Sequence, residues 1–262
     1  MHIYQQKAEI VRREMVAEDI CLITMKAPDI AGASRPGQFI MVRTVDGMDP
    51  LLRRPFSVHR VSGGATLQIL IKVIGKGTRA LAAMDKGREL DIVGPVGRGF
   101  SCSSDNYHIL VGGGIGTAPL LFLADHLLRD NEPSAIRVLL GARTGDEIAA
   151  VAADFDSMGL AVDIATEDGS FGKPGLVTGL MSGLREGDRP LMVYGCGPYP
   201  MLKAVAGICR EKKWACQVSL ETMMACGLAA CLGCAVMRAD MNGYVHVCKD
   251  GPVFNMDEVA WL

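Results

Sequence analysis

Residues Tyr107-His108-Ile109-Leu110-Val111-Gly112-Gly113-Gly114-Ile115-Gly116-Thr117-Ala118-Pro119-Leu120 decide how this chain folds. A short apolar run enters a glycine-rich turn and leaves it as a helix, with apolar residues at helical spacing over 120–128. A run too short for a helix and bounded by glycines reads as a buried strand. Outward from it the alternation repeats: strands are predicted at 137–141, 162–166 and 191–195, and helices at 146–158, 175–184 and 200–212. Regular alternation of this kind means a parallel, doubly wound sheet, which takes its ligands beyond the carboxyl ends of its strands. Three features fall at those ends. The glycine turn is one, although Thr117 stands where a strict G-x-G-x-x-G pattern has its third glycine. The others are the polar loop Glu167-Asp168-Gly169-Ser170-Phe171-Gly172 and the run Cys196-Gly197-Pro198-Tyr199-Pro200-Met201.

Further along, Glu221-Thr222-Met223-Met224-Ala225-Cys226-Gly227-Leu228-Ala229-Ala230-Cys231-Leu232-Gly233-Cys234 is followed by Cys248. Four, two and thirteen residues separate successive cysteines. Three thiolates on a short loop of small residues can wrap one side of a compact inorganic cluster, with the fourth arriving from elsewhere. The order C-x4-C-x2-C…C is the plant-type [2Fe–2S] spacing. A zinc knuckle normally uses two separated pairs, and only Cys231 and Cys234 form one. A disulfide framework belongs to small loop-rich chains in oxidising compartments. Cys21, Cys102, Cys209 and Cys216 have no partner at ligand spacing and read as core or surface thiols.

The first hundred residues follow a different pattern. Short strands are predicted at 8–14, 20–25, 38–43, 54–59, 66–73 and 89–93, separated by turns such as Ala-Pro-Asp, Arg-Pro-Gly and Ser-Gly-Gly. This spacing predicts a closed antiparallel barrel with no long helix. Two places in it carry chemistry. Arg54-Pro55-Phe56-Ser57 presents a guanidinium, a fixed-geometry donor for phosphate or carboxylate, three residues before a hydroxyl. Ile71-Lys72-Val73-Ile74-Gly75-Lys76-Gly77-Thr78 leaves a strand through two glycines and opens a helix expected over 79–84, a ready anion site or an ordinary capped turn.

At 262 residues and 49% hydrophobic, the chain has room for two domains and a small appendage. Its 27 Lys and Arg against 29 Asp and Glu give a formal charge of -2, so no basic field for nucleic acid is expected. No secretory pattern opens the sequence and no apolar run reaches membrane-spanning length, so a cytoplasmic protein is expected. An odd number of cysteines, nine, then points to metal or redox use.

Taken together these motifs resemble the ferredoxin-reductase superfamily: Arg-x-x-Ser with a Gly-Thr turn, Gly-Gly-x-Gly-x-x-Pro, and Cys-Gly-Pro-x-x-Met. With the cysteine run and the closing Cys-Lys-Asp-Gly-Pro-Val-Phe, essentially the whole chain resembles the electron-transfer subunit family of class 1B dihydroorotate dehydrogenase. The resemblance implies an α+β multidomain fold: an N-terminal antiparallel β-barrel for FAD over 1–101, a middle doubly wound α/β nucleotide-binding domain for NAD over 102–220, and a small C-terminal [2Fe-2S] cysteine-rich subdomain over 221–262. Around FAD it implies Arg54, Pro55, Phe56, Ser57, Ile71, Lys72, Val73, Gly77 and Thr78, with Gly94-Pro95-Val96-Gly97 closing the barrel. At the pyridine nucleotide it implies Gly113, Gly114, Gly116, Thr117, Cys196, Gly197 and Pro198, and at the cluster Cys226, Cys231, Cys234 and Cys248. No dense basic cluster follows the second strand of the middle domain beyond Arg143, which favours NAD over NADP. No side chain is expected to act as acid or base. The implied partner is an FMN-containing subunit that oxidises dihydroorotate, in a heterotetramer of two subunits of each kind, with electrons passing through the cluster and FAD to NAD+. Related flavin/iron–sulfur subunits of NADH-dependent ferredoxin:NADP oxidoreductases and sulfide dehydrogenases share these modules. A zinc-containing NAD-binding regulator is the non-enzymatic alternative.

Overall fold

A computed structural model describes residues 2–45, 47–184, 187 and 189–261. In chain order its elements are β1 (Tyr4–Ala17), β2 (Ile20–Lys26), α1 (Pro28–Ala33), β3 (Phe39–Arg43), β4 (Arg54–Ser57), β5 (Arg60–Ser62), β6 (Thr66–Lys72), α2 (Lys76–Ala82) and β7 (Glu89–Val96). Then come β8 (Tyr107–Gly113), α3 (Ala118–Leu127), β9 (Ile136–Ala142), α4 (Ala149–Ser157), β10 (Ala161–Thr166), β11 (Lys173–Pro174), α5 (Val177–Leu180), β12 (Leu191–Cys196), α6 (Tyr199–Lys212) and β13 (Ala215–Ser219). The last elements are β14 (Ala235–Met237), β15 (Tyr244–His246) and β16 (Val253–Asn255).

The N-terminal strands form one sheet in the order β4-β3-β7-β1-β2-β6-β5, rolled around Ile10, Ile23, Ile40, Ile69 and Ile92. Its ladder has two ends, which corrects the expectation of a closed barrel: the roll is open. The reason lies at Val58 and His59, where the chain changes partners. The Val58 amide donates to the Gln38 carbonyl at 2.9 Å, while the His59 amide donates to the Gln68 carbonyl at 2.8 Å. Pro55, which has no N–H, lies in β4, so this strand pairs with β3 alone and leaves a slot beside β6. The helix expected over 79–84 begins earlier, at Lys76, and the Ala-Pro-Asp turn grows into α1 with Pro28 in its first turn.

The second sheet has the order β11-β10-β9-β8-β12-β13-β16. The pairings from β10 to β13 are parallel. Alternate strand residues face opposite cores: Leu110, Val138 and Leu140 pack with α3 and α4, and Ile109, Val111, Val193 and Val218 with α5 and α6. The helix expected over 175–184 is a single turn, α5, continued as a 3₁₀ turn at Met181–Gly183. Gly175, Gly179 and Gly183 explain its brevity, since glycine gives up the most backbone freedom in a helix. Between β8 and β12 the strand order reverses direction, which creates a crevice at their carboxyl ends. The two turns above it touch: a Cβ on Gly116 would lie 2.5 Å from the Gly197 Cα and 2.6 Å from its nitrogen.

The roll meets the α/β domain through apolar packing of Ile20, Leu70 and Phe122 and through polar contacts. The His59 Nδ1–H donates to the carbonyl of Ala118, the first residue of α3, at 2.7 Å; Arg60 pairs with Asp125 at 2.8 Å; Lys72 pairs with Glu147 at 2.9 Å. After β13 the chain leaves the second sheet, makes the cysteine loop and the β14–β15 ribbon, and returns as β16 antiparallel to β13.

Two outcomes follow from this packing. Burial pulls the His59 imidazole down from 6.5 to about 4, the Ala118 carbonyl offsetting part of the effect. Its folded affinity for protons is below its unfolded one, so the neutral ring stabilises above pH 6.5 and that stability drains away toward pH 4, on the order of 3 kcal/mol in all. Melting temperatures of wild type and His59→Gln between pH 7 and 4 should therefore converge on acidification; parallel curves would show that this ring does not govern the acid response. Gly116→Ala should lower the denaturant-derived stability by about 1–3 kcal/mol, because backbone rather than a movable side chain opposes the new methyl. An unchanged midpoint would mean that the two turns separate freely.

Candidate functional site

The slot in the roll opens onto the α/β domain as a cleft of about 250 Å³. Pro55, Phe56 and Ser57 of β4 form one wall and Leu70, Ile71 and Lys72 of β6 the other. The second sheet contributes Gly116 and Cys196, and the segment after β13 contributes Ser219, Glu221, Thr222 and Met224. A flat ring system fits here: the walls are largely apolar, while the Thr222 hydroxyl is buried among them with no partner among the described residues.

At one side of the cleft stands a polar niche. The space beside Gly77 brings the Thr44 Oγ1 to 3.3 Å and the Arg54 Nε to 3.5 Å of where a Cβ would sit. Among the described residues the buried Thr44 hydroxyl has no partner and no carboxylate pairs with Arg54. A guanidinium, an orphaned hydroxyl and bare glycine backbone fit a phosphoanhydride. Thr78 lines the cleft, but its hydroxyl accepts from the Ile74 and Gly75 amides at 3.0 Å each and caps α2. Val73 belongs to the link from β6 and does not line the cleft. Lys72 does, with its ammonium drawn away to Glu147 and, at 3.4 Å, to Asp19.

A second cavity of about 550 Å³ lies at the crevice of the α/β sheet. Gly113, Gly114, Gly116, Gly197 and Pro198 line it, as expected of the glycine turn and the Cys-Gly-Pro run. Gly114 takes φ +54 with open space where a side chain would stand, so the turn brings bare backbone to the cavity. Thr117 does not reach it: the residue is fully buried and its hydroxyl donates to the Gly114 carbonyl at 2.9 Å, tying the turn. Cys196 is buried between the cavities, and burial pushes its thiol well up, so it stays neutral. Of the loop at 167–172 only Glu167 lines the cavity; Asp168 accepts from the Ser170 amide and hydroxyl and closes the loop on itself. The lining cations, Lys72 and Arg143, are both paired with Glu147, at 2.9 and 2.7 Å. Although burial works against it, those bonds hold the Glu147 carboxyl below its usual range.

The cysteine loop begins two residues past Met224. Its four thiols fall into two pairs. Cys234 and Cys248 lie 3.2 Å apart, and Cys226 faces Cys231. Two thiolates on each of two irons is what a [2Fe–2S] cluster requires, whereas a zinc site gathers four ligands about one point. Among the described residues no three Cys, His, Asp or Glu side chains converge on a single-ion position. Backbone amides aim at the sulfurs: Leu228 and Cys231 at Cys226 (3.3 and 3.4 Å), Ala229 at Cys248 (3.3 Å), and Cys248 at Cys234 (3.4 Å). Burial opposes ionisation of Cys226, but the amide bonds prevail and bring its thiol to about 7. These thiols and amides fit an anionic iron–sulfur cluster.

Several residues of the site are silent in the sequence. Thr44 follows β3 without any motif, Thr222 sits in the cysteine run without a partner pattern, and Glu147 is one acidic residue among many. Glu221 falls beside the cleft because β13 ends two residues earlier. The pairing of Lys72 with Glu147 joins residues 75 positions apart, and no local signal announces it.

Known proteins agree with this anatomy. The family of the iron–sulfur cluster binding domain of dihydroorotate dehydrogenase B matches residues 221–260, that of the oxidoreductase NAD-binding domain 110–207, and that of the oxidoreductase FAD-binding domain 7–100. The electron transfer subunit of dihydroorotate dehydrogenase B (NAD(+)) from Desulforamulus reducens is 39% identical over 259 residues, covering 97% of each chain. Its counterpart from Caldanaerobacter subterraneus subsp. tengcongensis is 37% identical, covering 98% of this chain and 99% of that one. Among solved structures, the NADH-dependent reduced ferredoxin-NADP oxidoreductase studied for flavin-based electron bifurcation superposes with a TM-score of 0.86 at 30% identity, over 97% of this chain and 90% of that chain. The protein thus belongs to the family of electron-transfer subunits of NAD(+)-dependent dihydroorotate dehydrogenase B, with FAD-binding, NAD-binding and iron–sulfur-binding parts in one chain.

Proposed function

We propose that this chain takes electrons from the FMN of a dihydroorotate-oxidising partner and delivers them, through a [2Fe–2S] cluster and FAD, to NAD+ in pyrimidine biosynthesis. The observation that carries this reading is the continuity of residues 219–226: Ser219, Glu221, Thr222 and Met224 line the flavin-side cleft, and Cys226 follows at once. Cluster and flavin are thereby held a few residues apart. Residues 1–101 carry FAD, 102–220 the nucleotide and 221–262 the cluster.

The cofactors supply the redox chemistry: a flavin exchanges both single electrons and hydride, and so stands between an iron–sulfur cluster and NAD(H). What the chain contributes is position. Arg54, Gly77 and Thr44 hold the flavin diphosphate, Phe56 and Ile71 flank the ring, and Ser57 offers it a hydroxyl. Cys196, Gly197 and Pro198 would pack beside the nicotinamide and Gly113, Gly114 and Gly116 would present backbone to the nucleotide, while Thr117 ties that turn from behind. Cys226, Cys231, Cys234 and Cys248 ligate the cluster. Exposed Met223, Leu228 and Leu232 surround it and make the face that meets the partner, two copies of each subunit assembling. Among the described residues no helix is long and apolar enough to cross a membrane, and nine free cysteines suit the reducing cytoplasm.

Anaerobic titration of the purified protein with NADH, and separately with NADPH, tests the carrier order. NADH should bleach the flavin and raise a [2Fe–2S] signal in electron paramagnetic resonance; a colourless, zinc-containing protein would refute the reading. Cys231→Ser should abolish transfer to the partner while NADH oxidation by an artificial flavin acceptor persists, and loss of both would contradict the division of labour between cluster and flavin.

A further inference from the structure

Four residues, Lys72, Ile115, Gly116 and Glu221, line both the flavin-side cleft and the nucleotide cavity. They mark the place where flavin and nicotinamide would meet under the carrier order proposed above, on which this inference rests. Of the two that ionise, Lys72 is held in ion pairs with Glu147 and Asp19. Glu221 has no hydrogen-bond or ion-pair partner among the described residues and is open to the cleft.

The traffic through this junction does not balance without a proton carrier. Electrons that come through an iron–sulfur cluster come singly and bring no protons, whereas the hydride given to NAD+ holds two electrons and one proton. One proton for every two electrons must therefore enter the flavin cleft from water. We propose that Glu221 carries this proton between solvent and flavin N5. As two cluster electrons reduce the flavin, the Glu221 O–H bond breaks and an N5–H bond forms; solvent reprotonates the carboxylate. The N5–H bond then breaks as hydride leaves for C4 of the nicotinamide, reducing NAD+ and reoxidising the flavin. With NADH as donor, the sequence reverses and the Glu221 carboxylate accepts the N5 proton as the electrons leave singly for the cluster.

The surroundings suit that task. The other ionisable groups lining the flavin-side cleft are the paired Lys72 and the Cys196 thiol, which burial keeps neutral and which feels the Glu221 charge. Across the nucleotide cavity stand Arg143 and Glu147, bound to each other, and Glu167. None of these cations pairs with Glu221, and although the residue is exposed, the walls around its carboxyl desolvate it enough to hold it above the usual carboxylate range. A carboxyl that borders the flavin cleft on one side and solvent on the other can pass a proton between them.

The test uses the full chain carrying FAD and cluster, as wild type, Glu221→Gln and Glu221→Asp. Stopped-flow absorbance follows flavin reduction by NADH and flavin reoxidation through the cluster to cytochrome c, in H2O and D2O. In Glu221→Gln the ratio of the second rate to the first should fall about 100-fold, the low end of what a positioned acid or base contributes, and Glu221→Asp should restore part of it. The infrared difference spectrum of flavin reduction should show a carboxylic-acid C=O band that Glu221→Gln abolishes and Glu221→Asp shifts, a signature that a merely structural role would not produce. An unchanged ratio, or a band that persists in Glu221→Gln, would overturn the assignment; so would loss of FAD from Glu221→Gln, which would make the carboxyl a flavin-binding group. A wild-type flavin that NADH fails to bleach would instead overturn the carrier order itself, and the proton role with it.

Discussion

Hydride transfer requires near-contact between its partners, within about 3–3.5 Å of the reacting atoms, so the structure depends on where its two cavities meet. That place is fixed by the approach of Gly116 to Gly197. The two turns belong to β8 and β12, neighbouring parallel strands whose connections leave in opposite directions, and the crevice between them opens toward the roll. A methyl group on Gly116 would push against backbone, whereas one on Gly197 would first meet the Met201 side chain, 2.6 Å from its Cε. Gly116 accordingly has an office besides lining the nucleotide cavity: it lets two loops close together, while Gly114, in a left-handed conformation, presents open backbone there.

The third part of the chain is tied to the same point from both ends. It departs from the carboxyl end of β13, which lies beside β12, and returns through Pro252, whose carbonyl accepts from the Leu220 amide at 2.9 Å, into β16 on the edge of the same sheet. The cysteine loop cannot drift from the cleft without unpairing that strand. Its own shape carries a local cost: Gly227, Ala229 and Leu232 all take left-handed conformations, which for the two non-glycine residues is unfavourable by roughly 1–2 kcal/mol each. Those conformations turn successive amides inward to the thiols. A loop that already directs N–H groups at sulfur stabilises thiolate charge before any iron arrives, and the depressed Cys226 thiol reflects this.

How much of this was legible in the sequence depended on whether the chemistry is local. Ligation of an iron–sulfur cluster demands cysteines at set spacing, and a strand–turn–helix crevice demands glycines at set positions, so Cys226 to Cys248 and Gly113 to Gly116 stood out. Strand alternation likewise predicted β8, β9, β10 and β12 with the helices between them, but not β11, β13 or β16, which lie outside that alternation. The open roll was not legible, because the change of partner at Val58 and His59 depends on which carbonyl each amide meets across the sheet. Thr117 matched a motif yet points inward, since a pattern of residue types does not say which way a hydroxyl faces. Thr44, Glu147 and Glu221 were invisible for a simpler reason: their neighbours in space are distant in sequence, and an isolated polar residue carries no periodicity.

The distribution of charge around the nucleotide cavity bears on which pyridine nucleotide it accepts. A 2′-phosphate adds about two negative charges, by analogy with other phosphomonoesters at neutral pH, and needs cations free to meet it. Both lining cations are already engaged: Arg143 and Lys72 share the Glu147 carboxylate, and Glu167 adds a further negative charge to the wall. Freeing Arg143 for a phosphate would leave Glu147 with Lys72 alone in a part-buried position, and freeing Lys72 would remove an ion pair that ties the roll to the α/β domain. An NADP-binding version of this cavity would need a new cation rather than a rearranged one. The same ion pair therefore serves two ends, tying the roll to the α/β domain and leaving no unpaired cation among the described residues that line the nucleotide cavity.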